Sequence, residues 1–189
     1  MRYGTTRVPI DLDAWVRQGA IGGFLGGLGF AAYTMVFAAV MEGPDAFFSA
    51  LRPFSAIVIG PGALDPGSSL LVAAATGALV HFAFALFFGV VFAAAVAFVP
   101  ALRHPPMSLP VSASTYGAVL WLVNIHVVAP AADWLWIADV EVATAQLLAH
   151  TFAFGLVLGL YLDRALVRPR LRAMRRSGAD DLERLHRVG

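Results

Sequence analysis

The sequence has no cysteine and no lysine, and only 13% of its 189 residues are charged. Without cysteine there is no disulfide framework, no zinc ribbon and no cysteine-held iron–sulfur cluster. A soluble domain carries about 25% charged residues. This chain has about half of that, with 59% hydrophobic residues and a mean hydropathy of +0.76. So little polar surface cannot coat a water-soluble globule of this length. A bilayer removes the difficulty, because lipid accepts apolar side chains on the outside. All thirteen basic residues are arginine. Together with abundant alanine, glycine and valine this points to a GC-rich bacterial genome, an inference from codons rather than from physics.

Motifs of catalysis are missing as well. There is no G-x-S-x-G elbow, Walker loop, H-E-x-x-H motif or pair of intramembrane carboxylates. The run Gly22-Gly23-Phe24-Leu25-Gly26-Gly27 is not a nucleotide loop, because no strand precedes it.

What the sequence does have is four long uncharged stretches. A membrane-spanning helix needs about 20 mostly apolar residues. The spacing predicts spans at 18–41, 70–99, 112–128 and 142–162. The fold class expected is therefore an all-α membrane protein with four transmembrane helices. A cytoplasmic segment 1–17 with an interfacial helix precedes them, and an Arg-rich cytoplasmic tail 163–189 follows. A cleaved signal peptide is the rival reading of the first span. Its apolar run is too long for that, and Asp11 and Asp13 sit where a basic n-region belongs.

Orientation follows from the arginines. Arg2, Arg7 and Arg17 precede the first span, Arg103 lies between the second and third, and eight more follow the fourth. The opposite face has Arg52 alone among acids that include Glu42, Asp65 and Asp133. Both termini are thus expected in the cytoplasm, in a bacterial inner membrane. In the tail, Arg168, Arg170, Arg172, Arg175 and Arg176 are expected to meet anionic lipid headgroups, at about 1 kcal/mol each close to the surface. No nucleic-acid partner is expected. Arg52 is read as pairing with nearby acids, and Asp163-Arg164 as a solvated pair. Trp15 on the inner side, and Trp134 and Trp136 on the outer, suit the headgroup level. The outer loop 42–69, punctuated by prolines, reads as two short helices lying on the outer interface.

Glycines recur at helical spacing: Gly19, Gly23 and Gly27, then Gly22 and Gly26, in the first span, and Gly155 and Gly159 in the fourth. Small residues every four positions let helix backbones approach closely. They could serve the bundle itself or a partner subunit.

Histidines inside spans are the strongest functional clue, because hydrocarbon makes polar groups costly. His81, His150 and His126 all fall in the outer half, with Asn124, Gln146 and Glu42 as polar neighbours there. Three readings stay open. Each histidine could bond a backbone carbonyl, Asn124 or Gln146 and staple helices together. His81 and His150, with His126, could hold haem b or a transition metal. Or the group could be a proton relay or ligand site. The second and fourth spans also resemble each other. Gly89 follows His81 by eight residues and Gly159 follows His150 by nine. That is either a duplicated helical hairpin or a coincidence of common membrane residues.

The segments Gly60-Pro61-Gly62-Ala63-Leu64-Asp65-Pro66, Leu120-Trp121-Leu122-Val123-Asn124 and Ala149-His150-Thr151-Phe152-Ala153-Phe154-Gly155 resemble a group of small four-helix bacterial inner-membrane proteins with no assigned activity. The resemblance implies the architecture over about residues 18–162 and no chemistry. The function expected is a non-catalytic accessory or structural subunit, packing against other membrane helices or against itself as a homo-oligomer. The alternatives are a haem or metal redox module and a small oligomeric transporter or channel.

Overall fold

Helix α1 (Leu12–Glu42) starts where Asp11 Oδ1 accepts the N–H of Ala14 at 3.0 Å. That bond satisfies one of the unpaired amides of the first turn. The helix stops at Gly43, whose φ of 106° is open to glycine and strained for any other residue. The structure, a computed structural model, describes residues 11–103, 108–137 and 143–169. Every regular element among them is a helix. Four are long and apolar enough to cross a membrane: α1, α3 (Leu70–Phe98), α4 (Leu109–Ala131) and α5 (Ala143–Val167). A short helix, α2 (Arg52–Ile59), lies between α1 and α3.

The long helices bear large apolar side chains on their outer faces. Leu71 is 80% exposed, Leu79 74% and Val40 70%. Helices apolar all round belong in lipid or deep in a core, and a chain this short has no core large enough to bury four of them.

The two glycine stripes of α1 serve two different neighbours. Gly19, Gly23 and Gly27 face α3: a Cβ on Gly19 would stand 2.6 Å from Ala93 Cβ, and one on Gly27 2.7 Å from Ala85 Cβ. Gly22, Gly26 and Gly29 face α5, where a Cβ would come within 2.8 Å of Leu158 Cδ1, 2.9 Å of the Phe154 carbonyl and 2.5 Å of the Ala153 carbonyl. Helix α1 is thus wedged between α3 and α5. On α5, Gly155 and Gly159 meet α4 at Ala113, with Pro110 Cα 2.7 Å from a Cβ on Gly159. Lipid supplies no hydrophobic drive for helices to associate, so close packing and dispersion must do so. The glycines therefore act inside the bundle. Helices α3 and α4 meet through side chains: the Tyr116 hydroxyl donates to the Phe88 carbonyl at 3.0 Å, and the Tyr116 and Phe92 rings lie 5.0 Å apart.

Several expectations shift. Helix α1 runs back through Arg17 to Leu12, because Arg17 is exposed and costs the helix nothing. Trp15 consequently lies one turn inside the helix, facing the bundle. It is 1% exposed and belongs to the core with Leu109 and Leu162, not to the headgroup level. Helix α5 likewise continues to Val167. Asp163 pairs with Arg168 at 2.6 Å rather than with its neighbour Arg164, because a π turn over Asp163–Val167 brings residues five apart together. Residues 1–10 and Arg170, Arg172, Arg175 and Arg176 lie outside the described residues.

The loop 42–69 also departs from a purely interfacial placement. One face of α2 is packed into the mouth of the bundle, with Ser55 at 0% and Ala56 at 2% exposure. The other face, with Val58 and Ile59, is open. The segment between α4 and α5 clasps this helix, since Trp136 Nε1 donates to the Pro53 carbonyl at 3.2 Å.

Candidate functional site

His81 on α3 is buried, and its Nε2–H donates to the Gly27 carbonyl on α1 at 2.9 Å. A carbonyl only accepts, so Nε2 carries the proton and Nδ1 is left with its lone pair. Gly27 belongs to the stripe that α3 lies against. The absence of a side chain there is what lets an imidazole reach the backbone of the next helix.

His150 on α5 behaves differently. Its Nδ1–H donates at 2.8 Å to the carbonyl of Gln146, on its own helix. Its Nε2 therefore bears the lone pair. Residues Ala149–Leu156 are wound as π turns, and the backbone at this level is gripped from outside: Gly117 of α4 packs directly on the His150 carbonyl.

Phe30 of α1 joins the two histidines. Its ring centre lies 5.2 Å from that of His81 and 4.8 Å, edge to face, from that of His150. Phe54 of α2 and Phe82 complete the aromatic wall around His81, at 4.9 and 5.2 Å. The site is thus two imidazoles around one phenyl ring, roofed by α2 at one end of the bundle.

The other polar residues are not gathered with them. His126 is exposed, its ring 5.3 Å from that of Trp121 and perpendicular to it. Glu42 is exposed at the end of α1, and Asn124 is half-buried at the start of a π turn in α4. Gln146 gives its side-chain N–H to the Ile137 carbonyl at 3.3 Å, and meets His150 only through its backbone.

This geometry does not fit the haem or metal readings. A haem held by both histidines needs its macrocycle between them, yet Phe30 packs on both rings and His81 commits Nε2 to Gly27. Among the described residues no group of three or more His, Asp or Glu side chains stands close enough to hold a metal ion. Of the three readings of the sequence, the helix staple matches His81. His150 is bonded within its own helix.

One residue has a larger structural part than its sequence context indicated. Arg52 is 9% exposed, and it pairs with no carboxylate among the described residues. Its guanidinium donates instead to the carbonyls of Ala63 (2.7 Å), Asp65 (3.0 Å) and Ser68 (3.2 Å), and to the Ser68 hydroxyl. A planar fork with five donors suits a ring of carbonyls. Arg52 therefore folds the loop 61–68 onto α2. The signal that could have found it is a lone arginine directly ahead of a Pro- and Gly-rich loop whose carbonyls need donors.

No family model, curated protein or solved structure matches the chain.

Proposed function

We propose that the chain is a non-catalytic integral membrane protein, a small structural or accessory subunit of a bacterial inner membrane with both termini in the cytoplasm. The observation that carries this reading is where the polar side chains inside the spans point. His81 donates to Gly27 and Tyr116 to Phe88, each to a backbone carbonyl of a neighbouring helix. Such bonds hold helices together and are worth about 0.6–2 kcal/mol each in a membrane. They assemble no nucleophile, base or ligand set. The glycine stripes are occupied within the bundle, so association with other helices falls to the remaining lipid-facing surface.

A duplicated hairpin is part of the proposal. The Ala85–Gly89 stretch of α3 meets α1 at Gly23, and the Gly155–Gly159 stretch of α5 meets α4 at Ala113. These stretches begin four residues after His81 and five after His150. A π turn contains one extra residue, and α5 is π-wound over Ala149–Leu156. The extra residue brings the two registers into line.

Native membranes solubilised in mild detergent test the subunit reading. The wild-type protein is expected to run well above its 20.0 kDa monomer mass, and His81→Phe and His150→Phe proteins are expected to enter the same assembly. A wild-type monomer at native expression would remove the reading. Loss of assembly in the histidine variants, with the fold intact, would favour a working role for the imidazole pair.

A further inference from the structure

We infer that the chain pairs with a second copy of itself along α4, with His126 of each copy hydrogen-bonded to His126 of the other across a two-fold axis along the bilayer normal. This pairing rests on the subunit reading above and names the partner.

His81 and His150 are taken up by carbonyls inside the bundle, and His126 is left over. Its imidazole is exposed on α4, stands perpendicular to the Trp121 ring, and has no hydrogen-bond partner among the described residues. It does not turn back onto its own helix, as His150 does. Pro130, four residues on, has no N–H, so the His126 carbonyl lacks its usual helical donor as well. The residue lies about 8 Å short of the end of α4 at Ala131. Exposed Leu122, Val123 and Val127 are its neighbours along the helix.

Such a group constrains what covers it. An acyl chain offers neither donor nor acceptor, and an unpaired polar group in hydrocarbon is costly. Within this bundle a neighbouring helix removes that cost: His81 and Tyr116 each donate to a carbonyl of the helix beside them. A further helix over His126 removes it in the same way.

Two features make that helix a second α4. First, a neutral imidazole carries one donor and one acceptor, so two of them complement each other. A two-fold axis along the bilayer normal holds both copies at one depth and sets each His126 against its counterpart. The N–H of one ring then donates to the bare nitrogen of the other. Second, Thr115, Val119, Leu122 and His126 are all exposed, spaced by four, three and four residues. That is the seam of a left-handed pair of parallel helices. Valine at one seam position (Val119) and leucine at the next (Leu122) favour two strands, and a single polar residue at the following position (His126) fixes register and partner number. The Thr115 hydroxyl is already bonded to the Val111 carbonyl of its own helix at 3.0 Å, so it does not compete.

The native chain has no cysteine, so engineered thiols report without background. Two differently tagged His126→Cys chains, co-expressed and oxidised in native membranes, are expected to form a disulfide-linked pair several-fold more than Leu71→Cys chains, whose thiol stands at an exposed position of α3. Because His126 makes no hydrogen bond within the chain, its replacement is expected to leave the helical content unchanged. His126→Leu is expected to dissociate several-fold more readily than wild type, read by energy transfer between tagged copies as they are diluted with lipid. His126→Asn keeps a donor and an acceptor and is expected to stay near wild type. Cross-linking no greater than the Leu71 control, or a His126→Leu protein as dimeric as wild type, overturns this interface. If wild type still assembles, through another face or with a different protein on His126, the subunit reading survives and the pairing falls. If wild type is a monomer in the bilayer, its imidazole meeting lipid headgroups, both fall.

Discussion

A Gly89→Leu protein is expected to lose a large part of the bundle's stability. A Cβ at this position would stand 2.5 Å from Gly23 Cα and 2.8 Å from Gly23 N. Both obstacles are backbone, so no side chain can turn aside. Overpacking a core that can adjust costs about 1–3 kcal/mol. Here α1 and α3 would have to separate, breaking the His81–Gly27 bond and the contact that wedges α1 in place, so the loss should exceed about 3 kcal/mol. Against a total stability of about 5–15 kcal/mol, the unfolding midpoint in SDS titrations followed by circular dichroism should fall well below that of wild type. Gly62→Ala is the matched control. Nothing lies within 4 Å of a Cβ there, and the change should stay within about 0.5 kcal/mol. Equal tolerance of the two substitutions would mean that α1 and α3 do not touch along this stripe.

The second large effect belongs to Arg52. Removing the guanidinium in Arg52→Ala leaves the Ser68 carbonyl without its donor, and takes one of two donors from the carbonyls of Ala63 and Asp65, which keep the Ser68 hydroxyl and the Ser68 N–H. Each buried polar group left unpaired costs about 1–3 kcal/mol. The loop lies at the mouth of the bundle, where water can reach part of it, so a total near 3 kcal/mol is expected. Arg52→Lys should recover less than half. An ammonium is a point charge, and it cannot reproduce the planar spread of donors across several acceptors. Limited proteolysis in the loop 61–68 should accelerate in both variants, more in alanine than in lysine. Full rescue by lysine would reduce the role of Arg52 to its charge.

The architecture was largely legible, because charge is the costliest item to bury in lipid and its absence over long stretches leaves few options. The helix ends were less legible. Charged residues bounded the predicted spans, but Arg17 is exposed and Asp163 is paired with Arg168, so neither ends its helix. Glycine spacing announced close packing without naming the neighbour. Only the structure divides the stripes of α1 between α3 and α5. For Trp15, residue type alone does not distinguish a headgroup anchor from a core side chain, and the extra turn of α1 decides for the core.

The candidate site was half legible. Three intramembrane histidines stood out by their cost, but His81 and His150 bond backbone carbonyls, and every residue has one. A carboxylate partner would have left a mark in the sequence; Gly27 O and Gln146 O leave none. The same holds for Arg52, which the acids nearby seemed to claim and the loop carbonyls hold. Phe30, which touches the imidazoles of His81 and His150, was indistinguishable from any other phenylalanine in a span.

Thiol labelling of the cysteine-free chain in intact cells tests most directly that it threads the membrane four times. Single cysteines at Gly62 and Ala132 should react with an impermeant maleimide from outside. Cysteines at Arg17 and Arg168 should react only after the inner membrane is opened. Labelling of Gly62→Cys and Arg17→Cys from the same side of an intact membrane would contradict the account.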